Sequence, residues 1–132
     1  MEAIMRALYD YNGHVRLWLR NDAKWFVDLH GNPLAFIDEG SIYNLKGCHV
    51  AWWRGDRIRD HHGNVVFVTH DVQHLETLKP TWHIRPLPPI QRTMPTRPTI
   101  GLRPLESRTS GRWADPRAFL DDLLCGVRSA EA

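Results

Sequence analysis

The sequence predicts an all-β fold: four pseudo-symmetric β-hairpin petals, an eight-strand antiparallel meander around a four-fold pseudo-axis, with a proline-rich arm and a short C-terminal α-helix behind it. Three observations predict this. One phrase is written four times, as YDYNGHVRLW, VDLHGNPLAF, YNLKGCHVAW and RDHHGNVVFV; the last three stand sixteen residues apart, and the first stands eighteen before the second. The prolines then cluster from Pro80 to Pro104 as the charge turns basic. Finally, apolar residues near the end recur at helical spacing.

The petals are justified by their turns. Aligned on Gly13, Gly31, Gly47 and Gly63, the residue three before is Asp10, Asp28, Asn44 or Asp60, and the residue five before is Leu8, Phe26, Ile42 or Ile58. Asp or Asn followed three residues later by Gly suits a type I turn. Its first side chain bonds the backbone two residues on, and the glycine takes the left-handed conformation of a bulged hairpin. Gly31, Gly47 and Gly63 are therefore expected at positive φ. Between the phrases lie RNDAK, DEGS, RGDR and THDV, further turn signals. Turns about every eight residues leave strands of roughly five.

Side chains on a strand alternate, so positions three and five after each glycine are expected to share the inward face. That set holds Leu34, Phe36, Val50, Trp52, Val66 and Val68, with Leu17, Ala35, Ala51 and Phe67 opposite. Phe26, Ile42, Ile58, Phe36 and Trp52 are expected to meet in one core. Four hairpins that cannot bury their own apolar faces share that core most economically around a pseudo-axis.

Three segments follow: 1–78, a four-fold repeat β domain; 79–113, a basic proline-rich connector; and 114–132, an amphipathic C-terminal helix and tail. Through Leu78 ten acids face eight bases, whereas from Lys79 to Trp113 seven bases face Glu106 alone. The segment from Arg85 to Pro89 favours a polyproline II conformation, the form of ligands for aromatic-lined grooves, with Arg85 beside it; a stiff linker or an arm lying across the acidic body is the reading preferred for it. Asp115 and Pro116 read as an N-cap and first turn, after which Phe119, Leu120, Leu123, Leu124 and Val127 form an apolar stripe up to Gly126 as a stop.

The run from Leu8 to Thr69, most specifically YNLKGCHVAWWRGDRIRDHHGNVV, resembles the 4-fold beta flower domain family. The arginine-proline tract and the terminal W-x-D-P-x-x-F-L, Trp113 to Leu120, resemble the C-terminal habit of that family. The resemblance implies hairpin petals around a pseudo-symmetry axis. The family's function is unassigned, so the resemblance supplies no catalytic residues. The departures are Arg16 in the first petal, Val68 in place of an aromatic in the fourth, and Arg59 where the other copies have Tyr9, Val27 and Tyr43.

Candidate chemistry is sparse. Asp10, Asp28, Asn44 and Asp60 could form an oxygen ring for a hard cation, but each also comes with the glycine that turn-capping needs. Trp18, Phe36 and Trp52 suit either an aromatic socket or core packing, and Trp53, just before RGDR, is the better contact residue. Of eight histidines, no set recurs with ligand spacing, and Cys48 beside His49 is a weak nucleophile signal. No catalytic residue, metal or cofactor is expected.

The residues for ligand or partner binding are Trp53, Arg16, Arg59, Arg85, Phe119, Leu120, Leu123 and Leu124. Together they make a non-catalytic binding or adaptor module that engages a protein partner or a second copy. The alternative is a small enzyme or metal-dependent binder with its site at the pseudo-axis. Spaced arginines without interleaved aromatics match single-strand binders poorly, so nucleic acid is not expected. No apolar run reaches membrane-span length and the two cysteines match no redox spacing, so a cytoplasmic location is expected, without membrane contact.

Overall fold

The computed structural model describes residues 5–75, 77, 79–106 and 108–125, and the side chains of all of these but Asp122, Leu124 and Cys125. Eight strands, β1 (Arg6–Tyr9), β2 (Val15–Leu19), β3 (Trp25–Val27), β4 (Pro33–Asp38), β5 (Ser41–Asn44), β6 (His49–Trp53), β7 (Arg57–Arg59) and β8 (Val65–Val68), precede one helix, α1 (Pro116–Cys125). Every strand pairs antiparallel with its sequence neighbours, and β8 returns to β1 through Tyr9 and Val68, closing a barrel in chain order. Closure removes the exposed sheet edges that such short strands would otherwise offer.

Each petal turns in the same way. Asp10 Oδ1 accepts from the N–H groups of Asn12 and His14 at 2.9 and 3.0 Å, and Asp28 Oδ1 from His30 and Asn32 at 2.8 and 2.9 Å. Asn44 Oδ1 accepts from Lys46 and Cys48 at 2.9 and 3.0 Å, and Asp60 Oδ1 from His62 and Asn64 at 2.9 Å each. Gly13, Gly31, Gly47 and Gly63 have φ of 81°, 88°, 84° and 80°, the left-handed region that penalises a Cβ. The four capping residues thus serve their own hairpins rather than a shared ring.

The face assignment needs correction, and the reason is the bulge itself. In the first petal Leu8 faces Leu17 but the next pair is Tyr9 with Val15, so Arg16 is the extra residue. Leu34, Val50 and Val66 are extra in the same way. An extra residue resets the alternation. The pairs that line the barrel are therefore Leu8 with Leu17, Phe26 with Ala35, Ile42 with Ala51 and Ile58 with Phe67, all fully buried. Phe36 and Trp52 are buried too, but on the outside of the barrel: Phe36 packs with Trp25 and Tyr43, and Trp52 lies against His49. Phe26, Ile42 and Ile58 are in one layer, Phe36 and Trp52 in another.

Residues 79–113 cover that outer layer. Thr81, Ile90, Thr99 and Arg108, nine residues apart, bring their carbonyl oxygens against Gly13, Gly31, Gly47 and Gly63 in turn, so closely that a Cβ on any of these glycines would collide with them. The residue two further on bonds the turn: His83 N–H to Gly13 O at 3.0 Å, Gly101 N–H to Gly47 O at 2.7 Å and Ser110 N–H to Gly63 O at 3.0 Å. At the second turn Arg92 Nε donates to His30 O instead, at 3.1 Å. The segment is a belt with its own four-fold repeat. Trp82 packs on Tyr9, and Met94 packs both on the outer cluster that contains Trp18 and Val27 and on the cluster of Trp25, Phe36 and Tyr43. Arg97 lies 5.1 Å from the ring centre of Phe36 and pairs with Asp38 at 3.6 Å, while Arg103 reaches Asp38 and Glu39 at 3.9 Å each. The basic arm and the acidic body are partners within one chain.

The belt ends in a bridge from Trp113 to Val65, with Ala114 N–H donating to Val65 O at 2.7 Å. Asp115 Oδ1 then caps the N–H of Arg117 at 3.0 Å, and α1 begins. Phe119 meets Phe67 edge-on at 5.7 Å and, with Leu123, joins the interior cluster.

Candidate functional site

Among the described residues, the interior offers no polar site. The side chains of these residues gathered inside the barrel are aliphatic or aromatic and buried, from Leu8 and Leu17 to Phe67, with Phe119 and Leu123 beside them. The axial reading loses its polar lining, because Asp10, Asp28, Asn44 and Asp60 all point into their own turns. No three His, Cys, Asp or Glu side chains converge among the described residues.

What departs from symmetry collects on the outside of the fourth petal. At the two outward positions of β7 stand Arg57 and Arg59, where β1 has Ala7 and Tyr9, β3 has Trp25 and Val27, and β5 has Ser41 and Tyr43. Both arginines are buried. Arg59 donates to Gly63 O at 2.8 Å and to Ser110 O of the belt at 3.2 Å. Arg57 grips Asp56 through Nε and Nη2 at 2.8 and 3.3 Å, and reaches His74 O at 3.4 Å.

An open cavity of about 600 Å³ lies beside them, walled by four arginines (Arg6, Arg54, Arg57, Arg59) and two carboxylates (Asp56, Asp71), with Gln73, His74 and Thr109 completing it. Burial opposes ionisation of Asp56, yet its hydrogen bonds from Arg57 and the Gln73 N–H prevail and leave its pKa below the usual value. Asp71 is lowered as well, first by the hydroxyl of Thr69, against some burial, and then by Arg6, which it meets at 3.3 Å. Both carboxylates are therefore ionised, and Arg54 pairs with Glu106 of the belt.

A second exposed feature lies on the belt. Ile84-Arg85-Pro86-Leu87 and Leu102-Arg103-Pro104-Leu105 write one motif twice, eighteen residues or two belt repeats apart. Ile84, Leu87, Leu102 and Leu105 are 96%, 89%, 95% and 97% exposed. The first loop spans petals one and two and the second spans petals three and four, so they stand opposite each other around the ring.

The residues singled out from sequence scatter. Arg59 is at the cavity. Arg85 flanks the first belt loop and lines a smaller hollow of about 200 Å³ with Tyr9, His70 and Asp71. Arg16 is the bulge residue of its petal and pairs with Asp10 at 2.8 Å. Trp53 is half-buried against Phe26, at 5.5 Å between ring centres, rather than a free contact residue.

Phe119 and Leu123, whose apolar stripe could dock on its own flower, a second copy or a different protein, pack into the core of their own barrel. Leu120 packs half-buried at the edge of the same cluster, and the Leu124 side chain lies outside the described residues. Arg57, Arg6, Arg54 and the second belt loop were passed over by sequence reasoning, which singled out Arg85 to Pro89 in the first. The nine-residue spacing of Pro86, Pro95 and Pro104 was the signal that could have found the belt and its loops.

No helix among the described residues is long and apolar enough to cross a membrane. No curated protein and no solved structure matches the chain. A family model described as 4-fold beta flower protein matches residues 6–121. That stretch takes in all eight strands, the belt and the buried Phe119, and by it the chain belongs to the 4-fold beta flower protein family.

Proposed function

We propose that the chain is a non-catalytic binding module whose belt presents two apolar loops to a protein partner. The near-complete exposure of Ile84, Leu87, Leu102 and Leu105 carries this reading. A side chain of that size left in water forgoes about 1.5 to 3 kcal/mol that burial would return, and four of them stand in a duplicated motif on a backbone pinned at both sides. Pinning matters because a preordered segment loses little entropy on binding. Apolar loops favour a protein partner over nucleic acid. Placing the chain in the cytoplasm accords with this reading, since the free Cys48 thiol stays reduced there.

The test is retention of partners from native cell extract by the whole chain and by Ile84→Ser/Leu87→Ser, Leu102→Ser/Leu105→Ser and the fourfold variant. All should melt like the parent, because these side chains cover nothing. A protein retained by the parent and lost by the fourfold variant is the expected result. Identical retention by parent and fourfold variant would remove the belt loops from the function.

A further inference from the structure

We infer that the cavity on the fourth petal binds a small oxyanion ligand, one bearing a phosphate or carboxylate group, through Arg6, Arg54, Arg57 and Arg59. Two features of the fourth petal make this cavity. Strand β7 places arginines at outward positions that the other petals give to residues such as Tyr9, Trp25 and Tyr43. The belt residue at the matching position is Trp82, Gln91, Ile100 or Thr109 in turn; Trp82 packs on Tyr9, whereas the small Thr109 borders the cavity. Chance loss of a cover would leave an apolar patch. Here the petal with a small polar belt residue is the one that carries the guanidinium groups.

The geometry suits an anion of modest size. A volume of about 600 Å³ falls within the usual range for small-molecule sites. Asp56 holds Arg57, the Gly63 and Ser110 carbonyls hold Arg59, Glu106 pairs with Arg54 and Gly55 O receives Arg6 Nη1 at 3.0 Å, so all four side chains are positioned before any ligand arrives. Guanidinium carries five N–H donors in a planar fork matched to phosphate and carboxylate oxygens, so a group already paired can still accept a second oxyanion. Asp71, exposed, is bound to Arg6 from the rim. It competes with the ligand for that arginine.

Calorimetric titration of the whole chain at low ionic strength with pyrophosphate and with citrate tests the site and separates the two oxyanion types. One probe at least should saturate at one per chain, and the one that binds more tightly identifies the group recognised. Arg6→Gln/Arg54→Gln should weaken that binding about tenfold or more by removing charge-assisted bonds. Asp71→Asn should tighten it, and Thr109→Trp should abolish it by filling the cavity without changing a charge. Lys46→Gln, on the turn of the third petal, should bind as the parent does.

Absence of saturation with both probes overturns the inference. So does parental affinity in Arg6→Gln/Arg54→Gln, or an equal loss in Lys46→Gln. Should the arginine variant unfold, Thr109→Trp and Asp71→Asn decide the matter, and parental binding in both is a refutation.

Discussion

At Gly47 two constraints coincide. Its φ of 84° disfavours any Cβ, and the carbonyl of Thr99 occupies the space that a Cβ would need. Gly55 shares the first constraint, at 86°, but nothing lies within 4 Å of its would-be Cβ. Gly55→Ala should therefore cost about 1 kcal/mol of backbone strain, and Gly47→Ala distinctly more. Denaturant melts of the two variants measure what the belt contact adds. Equal losses would mean that the belt yields freely at that turn.

His49 gives the residue scale its pH dependence. Burial, then the nearby His61 and Arg103, push its pKa from 6.5 down to about 4, and its Nδ1 lies 2.8 Å from His61 Nε2. The unfolded chain takes up the proton near 6.5 while the folded chain resists it, so this contribution to stability is complete above pH 6.5 and disappears as pH falls toward 4. Asp28, Asp56 and Asp71, lowered from 3.8, act only in more acid solution. The urea midpoint should accordingly drop between pH 6.5 and 4, and His49→Gln should flatten that slope.

Among the elements, the hairpins were legible because each is specified locally. Asp or Asn, glycine and a flanking apolar pair determine a turn without reference to anything distant, and the capping bonds of Asp10, Asp28, Asn44 and Asp60 follow from that phrase alone. The facing of β2, β4, β6 and β8 was not legible by counting twos, since the glycine turn and the bulge after it come as a unit and the count must restart beyond it. Phe36 and Trp52 were thus placed in the right state of burial and the wrong layer. The belt was hidden for a different reason. Its residues, rich in arginine and proline, have no periodicity of strand or helix, and their order comes from carbonyl contacts with four distant glycines.

The cavity of the fourth petal depends on both errors. Arg57 and Arg59 mean little until β7 is known to face them outward under a belt. The helix was legible in extent from Asp115 and Pro116, but whether its stripe served its own barrel or another protein was a tertiary matter. Since Phe119 closes the interior against Phe67, Phe119→Ala should cost about 3 to 5 kcal/mol, seen as a lowered denaturation midpoint of the barrel itself. A flower that melts unchanged in that variant would return the helix to the partner-binding role.

At the scale of the whole molecule, the question is whether barrel and belt are one folding unit. The barrel is made of strands three to six residues long and meets itself between β1 and β8 at the single pair Tyr9 and Val68. Its inner core is supplemented by Phe119 and Leu123 from α1, and its outer layer of Tyr9, Trp18, Trp25, Phe36 and Tyr43 is covered by Trp82 and Met94. A chain ended at residue 78 would lose the lid and the cover together. Each aromatic bared in this way forfeits roughly 1.5 to 3 kcal/mol, against a total stability of about 5 to 15 kcal/mol for a domain. Loss of two or three such burials is enough to unfold it. The full chain should therefore melt in one transition seen equally by tryptophan fluorescence and far-ultraviolet circular dichroism, and the 1–78 fragment should show neither a cooperative transition nor dispersed amide resonances. Trypsin gives a second view: the arginines of the belt, Arg92, Arg97 and Arg103, are bonded to the body at His30, Ile37 and Asp38, so cleavage there should wait for global unfolding and slow in step with stability. A fragment that folds alone, or a belt cut quickly while the barrel stays intact, would separate the two and leave the nine-residue repeat as a surface dressing on an independent flower.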